Sequence, residues 1–185
     1  MSHLDNTEPP SAWIERFAAL LPEKSRVLDL ACGAGRHTRL LAAAGHSVTA
    51  VDRNRTGTED LSGDRRIRLV TADLEDSSPF PTGGERFDCV LVTNYLWRPL
   101  LPAILSAVDR NGLLLYETFT TGNERFGKPR NPDFLLRPGE LLDVVRGEFD
   151  VIAFEQGVVD DPRPAIVQRI CARRAAGGDL PPLPG

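Results

Sequence analysis

Apolar positions follow two rhythms along the chain. Between Ser11 and Pro22, Trp13, Phe17, Leu20 and Leu21 recur on one face of a helical pattern. From residue 26 the pattern changes to short, almost unbroken apolar runs at 26–31, 47–52, 67–73, 87–94 and 112–119. Runs without polar alternation suit strands buried on both faces, and such strands belong to parallel sheets. Helical segments predicted at 36–44, 99–108 and 138–146 separate several of them. The expected architecture is α/β, a doubly wound, Rossmann-like sheet in a single domain.

Two features depart from a plain alternation. Runs at 149–158 and 165–173 are joined by a short turn containing DDPRP, so they predict an antiparallel hairpin that closes an otherwise parallel, seven-stranded sheet. The connection LEDSSPFPTGGER at 74–86 carries two prolines and two glycines, which is incompatible with an ordinary crossover helix. Its thirteen residues extend to roughly 43 Å, and crossing about three strand spacings while returning one strand length needs about 25 Å. A loop can therefore do the work of the helix. The expected organisation is a flexible start at 1–10, one domain at 11–174 and a flexible tail, AAGGDLPPLPG, at 175–185.

Composition narrows the function classes. With 185 residues, 41% hydrophobic content and a net charge of −4, the chain can bury one core and lacks the basic footprint of a duplex-binding protein. No apolar stretch approaches the ~20 residues of a membrane span, and the polar opening MSHLDNTEPP does not read as a signal peptide; a cytoplasmic protein is expected. Three cysteines without metal-ligand spacing argue against a disulfide frame and against a metal site.

The stretch VLDLACGAGRHTRLLAAAGHSVTAVD, residues 27–52, carries the chemistry. A Gly33-x-Gly35 turn between strand and helix lets a ligand reach backbone that a side chain would cover. At the end of the next strand, Asp52 can accept both hydroxyls of a ribose. The third glycine of a dinucleotide fingerprint is missing, since Thr38 stands there, so a pyrophosphate and a nicotinamide cofactor are disfavoured. Asp29 beneath the turn suits a ligand bearing an ammonium and a sulfonium, which favours S-adenosylmethionine. Cys32, beside the glycine turn, reads as a small structural residue. His37, in the first helical turn where the dipole disfavours its cation, reads as a neutral group lining the cofactor.

The sequence resembles the class I S-adenosylmethionine-dependent methyltransferases over roughly residues 11–174. The resemblance lies in Leu28-Asp29-Leu30-Ala31-Cys32-Gly33-Ala34-Gly35, in Asp52, in Thr71-Ala72-Asp73-Leu74 and in the final hairpin. The Cys-Gly-x-Gly-Arg sequence and the compact length are similar to small methyltransferases of the tellurite-resistance type. The resemblance implies a cofactor laid across the sheet, its methionine end near Asp29 and the turn Ala31, Cys32, Gly33, Ala34, Gly35. Arg36, His37 and Arg53 join that lining. Ribose would rest on Asp52, adenine near Asp73 and Leu74, and Asn94 would face the methyl end. The family usually has a helix where 74–86 lies, which leaves the covering of one sheet face open.

The acceptor side is expected beyond the fourth and fifth strands. Tyr95, Trp97 and Arg98 follow one, and a long polar loop at 119–139, with Arg125, Arg130 and Arg137, follows the other. Loops of that length often serve as lids. A small polar or anionic acceptor suits the arginines. An anionic acceptor needs no base, whereas a hydroxyl or amine would need one, with Tyr95 or Glu117 as candidates. The alternative is a methyltransferase-like module that binds cofactor or a partner protein without transfer.

Overall fold

The computed structural model describes residues 8–76, 78–175, 177 and 180–185. Residues 1–7 of the expected flexible start, and 176, 178 and 179 of the expected tail, lie outside the described residues.

Helix α1 (Ala12–Ala18) buries Trp13, Ile14 and Phe17, with the Trp13 and Phe17 rings one turn apart at 4.4 Å. The five parallel strands are β1 (Arg26–Leu30), β2 (Ser47–Asp52), β3 (Ile67–Thr71), β4 (Phe87–Thr93) and β5 (Val108–Phe119). Between them lie α2 (Arg36–Ala43) and α3 (Leu101–Ala107), and α4 (Glu140–Val145) precedes β6 (Phe149–Val159) and β7 (Ala165–Arg174). The strand order is β3-β2-β1-β4-β5-β7-β6, with β7 antiparallel to both neighbours. The chain winds outward from β1 through β2 to β3 and then returns to the other side of β1. The reversal leaves a crevice beyond the C-terminal ends of β1 and β4, where ligands enter open α/β sheets.

Strand alternation sends side chains to two layers. Val27, Cys89, Leu91, Leu113 and Leu115 pack on α1 and α2, while Leu28, Leu30, Val90, Val92, Leu114 and Tyr116 face α3 and α4. Among its described residues, the connection at 74–86 contains no helix. It covers its share of the second face with Leu74, which is buried, and Phe80, which packs against the same core. The segment between β2 and β3 likewise holds only a 3-10 turn, Glu59–Gly63.

Boundaries move where glycine and proline act. β5 begins at Val108, before the Gly112 start that the sequence suggests, because a register shift between the Phe87 and Cys89 pairings accommodates an irregular stretch. There Asn111 has φ 62° and a Cβ on Gly112 would lie 3.0 Å from the Phe87 carbonyl oxygen. Pro99 and Leu100 form a separate 3-10 turn ahead of α3.

Candidate functional site

At the crevice the backbone takes an uncommon left-handed conformation on both walls. Ala31 ends β1 with φ 54°, and Asn94 follows β4 with φ 54°, so the chain turns sharply at both walls. The two glycines of the turn differ in what they face. A Cβ on Gly33 would meet nothing within 4 Å, whereas one on Gly35 would lie 2.7 Å from Leu61 Cδ1. Gly35 is thus the more crowded of the two, against the end of the Leu61 side chain, while Gly33 faces open space. Its amide donates to Asp52 Oδ2 at 2.9 Å, and Asp52 Oδ1 accepts from the Asn54 amide at 2.9 Å. Arg39, which the sequence did not single out, braces the turn from below by donating to the Ala34 carbonyl and, at 2.8 Å, to that of Gly57.

Beneath the turn, Asp29 is fully buried; Oδ2 accepts from the Thr38 hydroxyl at 2.6 Å, and Oδ1 has no hydrogen-bond partner among the described residues. Burial, with the nearby Asp52 charge adding to it, pushes its pKa up to about 7. Burial also raises the Cys32 thiol, reinforced by Asp29 and Asp52, so this sulfur stays protonated and is a poor nucleophile. His37 is buried, accepts the Ser11 amide on Nε2 at 3.0 Å and lies 3.4 Å from the Thr93 hydroxyl through Nδ1. An accepting Nε2 means a neutral ring, and burial lowers its pKa to about 3. His37 therefore ties the start of α1 to the end of β4.

A cavity of about 880 Å³ opens beyond these strand ends. Ala31, Cys32, Gly33, Ala34, Arg36 and Asn94 line one side, and the loop after β5 and the β6–β7 turn line the other. Glu8 links the two, 3.1 Å from Arg36 and 3.4 Å from Arg163. A second cavity of about 80 Å³ shares Glu8, Arg36 and Arg163 with the first and includes Glu117. Glu117 accepts from Ser11 Oγ at 3.0 Å and lies 3.5 Å from Arg169.

The remaining expected residues are dispersed. Asp73 is exposed and accepts the Glu75 amide at 2.9 Å, while Leu74 is a core residue and Arg53 is exposed. The Tyr95 hydroxyl is buried without a partner among the described residues. Burial raises its pKa, and the carboxylates of Glu75, Asp73 and Asp52 push it the same way. Tyr95 thus faces the Asp52–Asp73 end. Trp97 is half-buried before the 3-10 turn Arg98–Leu100. Arg98 grips both oxygens of the buried Glu140, at 2.7 and 2.9 Å, and donates to the carbonyls of Asp133 and Leu135. Burial alone would raise the Glu140 pKa, but these bonds and the Arg137 amide hold it at about 2. Arg137 is otherwise exposed, and Arg125 stacks on Phe126 with its guanidinium carbon 5.0 Å from the ring centroid.

The wall opposite the glycine turn contains Phe119, Phe126, Phe134, Lys128, Arg130 and Arg163. Only the arginine of the loop among these was singled out by sequence, because a hairpin turn such as DDPRP gives no sign of what it leans over. Among the described residues, no helix is long and apolar enough to cross a membrane, and no group of three or more His, Cys, Asp or Glu could hold a metal ion.

Comparison with known proteins agrees with this geometry. Residues 27–111 match the family described as a methyltransferase domain. YqeM of Bacillus subtilis (strain 168), named as a candidate methyltransferase, is 33% identical over 134 residues, covering 65% of this chain and 51% of YqeM. The chain thus spans about half the length of that relative. Among solved structures, TehB from Haemophilus influenzae superposes with a TM-score of 0.68 at 18% identity, over 88% of this chain and 61% of TehB. The 1,6-didemethyltoxoflavin-N1-methyltransferase of Burkholderia thailandensis, solved with 1,6-didemethyltoxoflavin and S-adenosylhomocysteine bound, superposes with a TM-score of 0.67 at 22% identity, over 92% of this chain and 79% of that one.

Proposed function

We propose that this chain, which carries a methyltransferase domain on the class I fold, binds S-adenosylmethionine in the crevice beyond β1 and β4 and transfers its methyl group to a small anionic acceptor. The observation that carries the reading is the hydrogen bond that fastens Asp52 to the amide of Gly33, a residue that itself lines the large cavity. Bound there, the cofactor supplies a methyl carbon already activated by a positive sulfur. The protein's share is to bind, orient and exclude water.

The residues fit that ligand. Asp52 offers its carboxylate to the ribose hydroxyls, and Asp29, whose one oxygen has no partner among the described residues, gives up its proton when the positive methionine end binds above it. Asp73, Leu74 and the Tyr95 hydroxyl belong to the adenine end. Arg36 and Asn94 stand beside the reacting end.

The acceptor reading rests on what the cavity lacks and on what it offers. Neither expected base is poised there: Glu117 is held by Ser11 and Arg169, and the Tyr95 phenol is made less acidic by its surroundings. An acceptor that arrives ionised needs no base, and the cations of the far wall suit it. The same lack of a poised base favours a second reading, a module that binds the nucleoside without transferring from it. Equilibrium binding of S-adenosylmethionine, S-adenosylhomocysteine and NAD, followed by methyl release from labelled cofactor into mixed small acceptors, separates the two. Micromolar binding of the first two and not of NAD is expected, with transfer above the rate without protein. Tight binding with no transfer to any acceptor would leave only the second reading.

A further inference from the structure

The far wall of the cavity holds two features that methyl transfer as such does not use. One is aromatic. Phe119 at the end of β5 and Phe126 and Phe134 of the following loop line that wall, and Phe126 is 42% exposed. Arg125 stacks over the Phe126 ring, and much of the ring stays open. The other feature is charge. Lys128 and Arg130 line the same wall, and among the described residues neither has an ion-pair partner. Glu8, the carboxylate among the described lining residues, is already engaged by Arg36 and Arg163. A positive wall in a chain of net charge −4 is a local arrangement, not a reflection of composition.

Cations alone would serve any anion, a phosphate included. Three phenyl rings offer no polar partner and recognise the faces and edges of another flat, carbon-rich group. We infer that this wall binds the methyl acceptor as a planar aromatic acid, its ring against Phe126 and its neighbours and its carboxylate on Lys128 and Arg130. The transfer chemistry of this inference rests on the methyltransferase reading; the binding does not. The nucleophilic atom is one oxygen of that carboxylate, which enters already ionised. Its lone pair forms the bond to the methyl carbon as the carbon–sulfur pair returns to sulfur, so the sulfonium becomes a thioether, the acceptor atom loses its negative charge, and no proton has to be removed.

The test is calorimetric titration of the full chain with 1-hydroxy-2-naphthoate, 1-naphthol and cyclohexanecarboxylate, each with and without saturating S-adenosylhomocysteine. The naphthoate should bind at least tenfold more tightly than either of the others, since one lacks the acid and the other the ring. Phe126→Ala and the double substitution Lys128→Gln with Arg130→Gln should each weaken the naphthoate at least fivefold and leave S-adenosylhomocysteine affinity within twofold. Circular dichroism checks that both fold; the three side chains are exposed. Equal affinity for naphthoate and cyclohexanecarboxylate overturns ring recognition, and equal affinity for naphthoate and naphthol overturns acid recognition. Binding of S-adenosylhomocysteine without the naphthoate overturns this proposal and leaves the methyltransferase reading standing. Naphthoate binding without S-adenosylhomocysteine binding does the reverse, and failure of both removes both.

Discussion

The carboxylate of Asp52 accepts the amide hydrogen of Gly33 at 2.9 Å. The acid at the end of β2 and the bare turn after β1 therefore move as one unit, and substitution of the acid loosens the turn as well as removing a ligand group. Asp52→Ala is expected to lower S-adenosylmethionine affinity at least tenfold, because each charge-assisted hydrogen bond lost costs about 1.5–3 kcal/mol. Calorimetry on the folded variant checks it, and unchanged affinity would place the ribose elsewhere.

The two glycines of the turn should fail in different ways. Gly33→Val should abolish cofactor binding while most helix and strand content remains, and Gly33→Ala makes the cleaner probe. An alanine at φ +55° costs about 1–2 kcal/mol of strain, but its methyl group meets no protein atom. It should fold and bind S-adenosylhomocysteine at least tenfold more weakly. Gly35→Ala puts a methyl 2.7 Å from Leu61 Cδ1 and should lose more stability than Gly33→Ala in urea unfolding. The reverse order of stabilities would mean that the two glycines have been assigned the wrong way round.

Asp29 and His37 give stability opposite slopes with pH. The buried Asp29 keeps its proton up to about pH 7, whereas unfolded it would release it near 3.8, so the folded state binds more protons in between and stability falls as pH rises through that window. His37 is held neutral down to about pH 3 against an ordinary 6.5, so it costs stability as pH falls below 6.5. Asp29→Asn removes the first slope and leaves the second. Relative to the parent, the variant should gain on the order of 2–4 kcal/mol between pH 4 and pH 8. Urea unfolding of both proteins at several pH values measures the gap; a gap that does not change with pH refutes the assignment.

The loop at 119–139 is proposed as a lid. Its ends are tied down, by the Thr120–Leu136 bridge, by buried Leu136 and by Asn123, whose side-chain oxygen accepts the Ile166 amide at 2.9 Å. Between them, Gly122 and Gly127 have positive φ values of 101° and 152° and can absorb a rotation. Amide exchange across 124–134 should slow at least tenfold when S-adenosylhomocysteine and an aromatic acid are both present. Identical protection in the free, cofactor-bound and doubly bound states would show a fixed surface loop.

The sheet was readable from sequence because its strands are buried on both faces and need unbroken apolar runs, as at β1 and β4. The absent crossover helix at 74–86 was equally plain, since two prolines and two glycines forbid it. Helix ends were less so. Ser11 sits at the start of α1, but its hydroxyl goes to Glu117, a partner 106 residues away, and forms no cap. Long-range pairing also hid the roles of the arginines. Arg98 looked like an acceptor ligand because the sequence does not show that Glu140 waits 42 residues on to accept from its Nε and Nη2. The phenylalanines of the far wall belong to no periodic pattern, so only the folded loop brings Phe126 and Phe134 to the cavity that Phe119 also lines.

The loop that replaces a helix between β3 and β4 gives the molecule a soft end and a hard end. β3 pairs with β2 alone, none of its side chains is fully buried, and the layer over that region is supplied by Leu74 and Phe80 in place of a helix. At the other end β5, β7 and β6 are long, mutually paired strands backed by α4. Thermal opening should therefore begin at β3 and spread inward, like a hinge-bound book lifted by its free cover, while the paired strands β5, β7 and β6 keep their shape.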